Sequence, residues 1–207
     1  MLILSSSFSV LLVFVRAILT GKWLFVFLPW NLFLAAIPYF VSAFLQNRPD
    51  WIEDRWKFGL LFTGWLLFIP NSFYILTDLF HLELREESNR WFDLTLIFSF
   101  AWNGLLLGVL SVRQMEKIVS HCFGIRNTLF FLIPVMWLTA FGIYIGRFLR
   151  FNSWDIISNP FLLMGDILYM VVHPFRHYTE WAMISCFAVF MTLLYLSIKK
   201  IASTVQA

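Results

Sequence analysis

Long apolar runs alternate with short polar segments along almost the whole chain. A helix needs about 20 predominantly apolar residues to cross a bilayer, and six runs come close to that length. They predict six spanning helices, at residues 2–19, 23–45, 58–76, 91–112, 127–149 and 181–198. The first run also contains Arg16, so an interfacial helix is the alternative there. A further run at 161–172 holds only about 12 residues, too few to span, and predicts a short interfacial or re-entrant helix.

Composition supports the bilayer as the solvent for this chain. Of 207 residues, 60% are hydrophobic and 13% are charged, whereas a soluble domain carries about 25% charged residues. The mean hydropathy is +0.79. These values predict an all-α polytopic membrane bundle in a single domain, residues 1–207. The net charge is only +3 and the cations lie between the apolar runs, which argues for membrane lipids and against nucleic acid as partners.

One apolar run ends in a stripe of polar residues. Asn71, Tyr74, Asp78 and His81 are offset by 0, 3, 7 and 10 positions, which on an α-helix places all four along one face. Lipid cannot satisfy polar side chains, so this face is expected to meet other helices or water. Pro70 directly precedes the stripe and predicts a kink near the end of the third span.

A second polar motif follows the fifth apolar run. Arg147 and Arg150 have i, i+3 spacing, and Asn152 and Asp155 come directly after them. Two guanidinium groups at this spacing predict a bidentate site for a phosphate or carboxylate group. The alternative is that the arginines form salt bridges with aspartates, at Asp78, Asp93 or Asp155.

Six spans bring both polar motifs to the same side of the membrane. That side holds residues 20–22, 77–93 and 147–180. With Arg16 counted on it, this side has seven lysines and arginines, and the opposite side has eight. Under the positive-inside rule, this small difference is only weak evidence for the orientation of the protein in the membrane. We expect both termini in the cytoplasm and the polar motifs on the outer side.

Two histidine-containing patterns raise the question of catalysis or metal binding. Asp78 and His81 could act as a base with its orienting partner, or as two metal ligands, while the alternative is a hydrogen bond at a helix end. His173 and His177 have i, i+4 spacing, and with His81 they would supply three nitrogen ligands for zinc. Thr77 with His81 also looks similar to a motif of alkaline ceramidases and adiponectin-receptor hydrolases. Those proteins have serine in place of Thr77 and have seven spans instead of six. These differences argue against a zinc centre, so the sequence assigns no metal.

The two long motifs resemble a known family. The stretches LFIPNSFYILTDLFHL at 67–82 and GRFLRFNSWD at 146–155 are similar to bacterial membrane proteins grouped as domain of unknown function 1361. WNLFLAAIP at 30–38 and WNGLLLG at 102–108 look similar too. The resemblance covers nearly the whole chain and implies a small multi-pass protein of the bacterial inner membrane. It implies no activity.

Three functional hypotheses follow. The first is a membrane-embedded enzyme acting on a lipid or lipid-linked anionic substrate. In it Asp78 and His81 perform acid–base chemistry, and the remaining polar residues bind substrate: Asn71, Tyr74, Arg147, Arg150, Asn152 and Asp155. The second is a small transporter or channel component whose path these residues line. The third is a non-catalytic scaffold in which the polar motifs hold loops together. Scarce charge near the middle of the apolar runs weakens the transporter hypothesis.

Overall fold

Helices account for nearly all of the chain that the computed structural model describes, which is residues 1–82, 90–124, 127–149, 151 and 160–205. No strand occurs within these ranges. The elements are α1 (Leu2–Thr20), α2 (Phe27–Gln46), α3 (Pro49–Glu53), α4 (Arg55–Tyr74), a 3₁₀ segment (Ile75–Leu82), α5 (Arg90–Phe123), α6 (Thr128–Arg147), α7 (Pro160–Val172) and α8 (Tyr178–Val205). The predicted all-α class is confirmed.

Six helices are long and apolar enough to cross a membrane: α1, α2, α4, α5, α6 and α8. Each of them exposes large apolar side chains, among them Ile3, Phe33, Leu60, Phe98, Phe130 and Phe190. Such surfaces are unfavourable in water and suit contact with lipid tails. The chain is therefore a multi-pass membrane protein, and its six candidate spans coincide with the six predicted apolar runs. The short helix predicted at 161–172 is also present, as α7.

The spans predicted at 91–112 and 127–149 leave a loop at 113–126, and this loop prediction is wrong over most of its length, because α5 continues to Phe123. Charged residues lower the hydropathy there, but the apolar spacing stays helical: Val112, Met115, Ile118 and Val119 are all buried. This i, i+3, i+7 pattern describes one helical face. The fourth apolar run is thus the first part of a 34-residue helix.

Contacts divide the chain into two compact units, Met1–Met115 and Glu116–Ala207. In the first unit, α2 packs against α4 and the 3₁₀ segment. Its apolar core joins α1, α2, the 3₁₀ segment and α5, and includes Val13, Leu28, Leu32, Ile75, Leu96 and Phe100. Helix α1 ends at Gly21, whose φ of 63° lies in the left-handed region and whose N–H donates to the Ala17 carbonyl at 2.8 Å. Glycine adopts this conformation without a Cβ penalty.

Close backbone packing joins α4 to α5. A Cβ atom on Gly104 would lie 2.9 Å from the Ser72 carbonyl oxygen, and one on Gly108 would lie 2.9 Å from the Ser72 Cβ. Two glycines four positions apart are typical of close helix contacts in membranes, and Gly104 and Gly108 form such a contact here. Buried polar side chains of α4 hydrogen-bond to both neighbouring helices: the Trp65 indole N–H donates to Ser111 Oγ of α5 at 2.7 Å, and Ser72 donates to the Ala35 carbonyl of α2 at 2.8 Å. Interhelical hydrogen bonds of this kind stabilise helix packing in membranes.

The second unit is built on α6 and α8, which pack along each other. Asn127 begins α6 as its N-cap and accepts from the Leu129 N–H at 3.0 Å. Trp137 and Phe141 of α6 stack with Trp181 of α8, with ring centroids 5.7 and 6.1 Å apart across the two helices. The three aromatic rings thus bury the contact between α6 and the beginning of α8.

Candidate functional site

The polar stripe does not lie on one continuous α-helix. α4 ends at Tyr74, and the chain continues as a 3₁₀ segment. Thr77 Oγ1 donates to the Tyr74 carbonyl at 2.6 Å, an example of a hydroxyl competing with the backbone at a helix end. The prediction that all four residues lie on one α-helix is therefore wrong.

Asp78 is the best-defined member of the predicted site. Asp78 is only 1% exposed. The side-chain amide of Asn31, in α2, donates a hydrogen bond to Asp78 Oδ2 at 3.2 Å. A carboxyl group withdrawn from water requires donors of this kind. Asn31 was not singled out from the sequence. An amide within an otherwise apolar helical run was the available signal, since membrane helices bury such groups against partners.

A second buried carboxylate lies in the same unit. Asp93 lies in the first turn of α5 and accepts two hydrogen bonds from Arg16. Arg16 Nε donates to Asp93 Oδ1 at 2.5 Å, and Arg16 Nη2 donates to Asp93 Oδ2 at 3.1 Å. The two side chains are 3% and 11% exposed. This bidentate pair occupies both oxygens of Asp93. Asp93 therefore acts mainly as the counter-ion of Arg16.

The other predicted substrate-binding residues are less completely defined. Asn71 donates to the Phe68 carbonyl at 3.2 Å and, like Tyr74, is half-buried. Arg147 is the half-buried last residue of α6. Arg150, Asn152 and Asp155 lie outside the described residues, as does the side chain of His81. The joint site of Asp78, His81, Arg147 and Arg150 therefore stays a prediction.

The two histidines proposed as metal ligands make local contacts. His173 Nδ1 lies 3.1 Å from the Tyr169 carbonyl oxygen, and His177 Nδ1 lies 3.3 Å from Glu180 Oε1. Within the part of the chain that is described, no three His, Cys, Asp or Glu side chains are grouped so that they could hold a metal ion. The zinc hypothesis also requires the His81 side chain and so remains untested.

The second unit contains a buried polar network around Glu116. Its carboxylate accepts from Lys199 Nζ at 2.6 Å, from Thr128 Oγ1 at 2.8 Å and from the Tyr195 hydroxyl. Lys199 Nζ also donates to Thr128 Oγ1 at 3.0 Å. The mutual satisfaction of these groups is typical of a structural network that joins helices. The i, i+4 spacing of Tyr195 and Lys199 was a detectable signal, whereas Glu116 lay in a predicted loop.

The family assignment follows from residues 30–194, which match the family model described as protein of unknown function, DUF1361. The chain belongs to this family. Comparison with curated proteins and with solved structures gives no match. The matched segment includes Asn31, Asp78, Asp93 and Glu116, whereas Arg16 precedes it and Tyr195 and Lys199 follow it. The segment that matches DUF1361 therefore contains both residues of the Asn31–Asp78 contact, but of the Arg16–Asp93 pair it contains only Asp93.

Proposed function

We propose that this protein is a membrane-embedded enzyme acting on a lipid or lipid-linked anionic substrate at one face of the cell's inner (plasma) membrane. The observation that carries the proposal is the buried Asp78 carboxyl group, which accepts from Asn31 where a spanning helix changes to a 3₁₀ segment. Ionisable residues inside membrane segments are costly to bury and are functional candidates by default.

Of the two buried carboxylates of the first unit, Asp93 is the less suited to proton transfer, because both its oxygens are bound by the Arg16 guanidinium. The Asn31 amide donates to Asp78 Oδ2 and helps to hold the Asp78 carboxyl group in place. In the proposed reaction Asp78 accepts or donates the proton, and His81, three residues on in the same 3₁₀ segment, assists it. Arg147 and Arg150 bind the anionic group of the substrate.

The experiment compares wild-type protein with Asp78→Asn in proteoliposomes made from a total lipid extract. Mass spectrometry follows the loss and gain of lipid species with time. The isosteric change removes acid–base capacity while an amide oxygen remains to accept from Asn31. We expect conversion to fall by about 10²–10⁴-fold, the usual contribution of general acid–base catalysis.

Asp54→Asn is the matched control, because Asp54 is an exposed carboxylate that caps α4 by accepting from the Trp56 and Lys57 N–H groups. Asparagine is an equally good N-cap. The control should convert lipid at the wild-type rate. Wild-type protein that converts no lipid, or an Asp78→Asn variant that keeps full turnover, would refute the enzyme proposal.

A scaffold is the second candidate, supported by the ion pairs of Arg16 with Asp93 and of Glu116 with Lys199, which link helices that lie far apart in the sequence. A transporter is the third alternative. Under the scaffold proposal, Asp78→Asn would change only the stability of the protein, and the lipid profile would stay constant. Under the transporter proposal, the variant would alter flux across sealed vesicles without changing any lipid mass.

A further inference from the structure

A cavity of about 130 Å³ lies within the second unit, between the C-terminal half of α6, α7 and the beginning of α8. Three aromatic side chains line it, from Phe141, Tyr144 and Tyr169, together with the ionisable groups of Asp166 and His177. None of the chemistry proposed at Asp78 uses this cavity. Its lining combines aromatic faces with hydrogen-bond acceptors, as small-ligand sites commonly do.

His177 lines this cavity, and one of its ring nitrogens has no hydrogen-bond partner among the described residues. Its Nδ1 lies 3.3 Å from Glu180 Oε1, and because a carboxylate can only accept, the Nδ1 atom carries the proton. In the neutral ring the Nε2 atom then has a free lone pair. This atom is buried and has no hydrogen-bond partner among the described residues. A ligand that donates a hydrogen bond would satisfy it.

The rest of the lining specifies the charge of that donor. The Asp166 carboxylate supplies negative charge, and aromatic faces attract cations through their quadrupoles. A primary ammonium group fits both features, because it is positive and has three N–H donors. A quaternary ammonium is also positive but has no donor for His177 Nε2. Since one water takes about 30 Å³ of liquid volume, the cavity holds about four water-sized groups, enough for an aminoethyl moiety.

The surroundings of the cavity indicate where the ammonium comes from. α7 has 13 residues, too few to cross a bilayer, and it exposes large apolar side chains: Phe161 is 89% exposed and Val172 is 68% exposed. Phe175, just after α7, is 92% exposed. A short helix with such a surface is expected to lie at the level of the lipid headgroups.

A cation stands beside the cavity in a position suited to phosphate. Arg176 Nη1 donates to the Tyr169 hydroxyl at 3.3 Å, and Arg176 is exposed. In a phosphoethanolamine headgroup, two carbons separate the ammonium from the phosphate. We propose that this cavity binds the ammonium of an aminophospholipid headgroup between Asp166 and His177, while Arg176 binds its phosphate. The proposal is independent of the chemistry at Asp78.

The test is native mass spectrometry of the purified full chain with lipids of identical acyl chains. Phosphatidylethanolamine competes with its N-methyl and N,N-dimethyl derivatives and with phosphatidylcholine. We expect binding to fall at each methylation, with phosphatidylethanolamine preferred over phosphatidylcholine by about tenfold, the value of one charge-assisted contact. A ratio near one for wild-type protein would overturn the proposal, and so would tighter binding of phosphatidylglycerol, which has the phosphate but no ammonium.

Two variants examine the assigned residues. Asp166→Asn removes the charge of an exposed side chain and should lower the phosphatidylethanolamine preference about tenfold. His177→Gln should also lower it, whereas Asp54→Asn, an exposed carboxylate of the first unit, should leave it unchanged. An unaltered preference in both Asp166→Asn and His177→Gln would contradict the assignment. Free ethanolamine tests whether the ligand is a soluble amine instead of a lipid. If free ethanolamine displaces the lipid from the cavity, the headgroup proposal fails.

Discussion

Exchange of the buried Arg16–Asp93 pair for apolar residues is expected to be tolerated only when both partners change. The pair is held by two hydrogen bonds, at 2.5 and 3.1 Å, with side chains 11% and 3% exposed. Arg16→Met leaves the Asp93 carboxylate buried without its guanidinium, and Asp93→Leu leaves the guanidinium without its carboxylate. Loss of one partner of a buried pair costs about 3–5 kcal/mol of unfolding free energy.

The double variant is expected to recover most of that loss. Replacement of a whole buried pair by apolar residues is often neutral or stabilising by about 1–4 kcal/mol. Arg16 Nη1 is also buried without a hydrogen-bond partner among the described residues, so the wild-type pair already carries an unmet donor that costs about 1–3 kcal/mol. The coupling energy between the two positions should therefore be at least about 3 kcal/mol.

The measurement is a double-mutant cycle on protein in mixed micelles, unfolded with sodium dodecyl sulfate and followed by circular dichroism. The matched control is the exposed pair of Lys57 and Asp54, whose atoms lie 3.1 Å apart with side chains 53% and 39% exposed. Lys57→Met with Asp54→Asn should show no measurable coupling, because exposed pairs are screened by water. Single changes at Arg16 and Asp93 that each cost less than about 1 kcal/mol, or whose costs simply add, would refute the reasoning.

Three further predictions concern packing, the Glu116 network and topology. Gly104→Ala should lower the unfolding free energy by about 1–3 kcal/mol in the same assay, because its Cβ would lie 2.8 Å from Ile75 Cδ1; Gly59→Ala, where nothing lies within 4 Å of the added Cβ, should not lower it. Glu116→Leu should cost about 1–3 kcal/mol, since the half-buried Lys199 loses its counter-ion and its hydrogen bond, and the double change with Lys199→Met should restore much of this; equal stability of Glu116→Leu and wild type would be evidence against the network. Reporter fusions should place both termini in the cytoplasm and a tag at 84–90 outside, whereas termini on opposite sides would remove α1 from the spans.

The sequence predicted the spans well because membrane helices must satisfy their backbone internally, which produces long apolar runs. The turn at Gly21 and the close contact at Gly104 and Gly108 have equally local causes, because each depends on the missing Cβ of a glycine. The span predicted at 91–112 was shorter than α5 because charged residues near Lys117 lower the hydropathy of the following segment. The buried positions Met115 and Val119 nevertheless kept i, i+4 spacing, so periodicity was the better signal in that segment.

The candidate site was harder to predict because it depends on contacts between distant residues. Asp78 was identified from its own helix, but its amide donor Asn31 lies 47 residues away. Nothing in the local pattern around Asp78 indicates α2 as the source of that donor. The change to a 3₁₀ segment after Tyr74 was also missed, since i, i+3 spacing fits both α and 3₁₀ helices. Local spacing therefore identified the carboxylate but not its environment.

The separation of Arg16 from Asp93 has a consequence for the order of membrane insertion. The two residues are 77 positions apart, so at a synthesis rate of about 5–20 residues per second the arginine exists for about 4–15 seconds before its counter-ion is made. During that interval α1 carries an uncompensated cation four residues from its end. The long arginine side chain can keep its charge in the headgroup region meanwhile. Full seating of α1 in the bilayer must then wait for the arrival of α5, so α1 settles only after α2 and α4 have been synthesised.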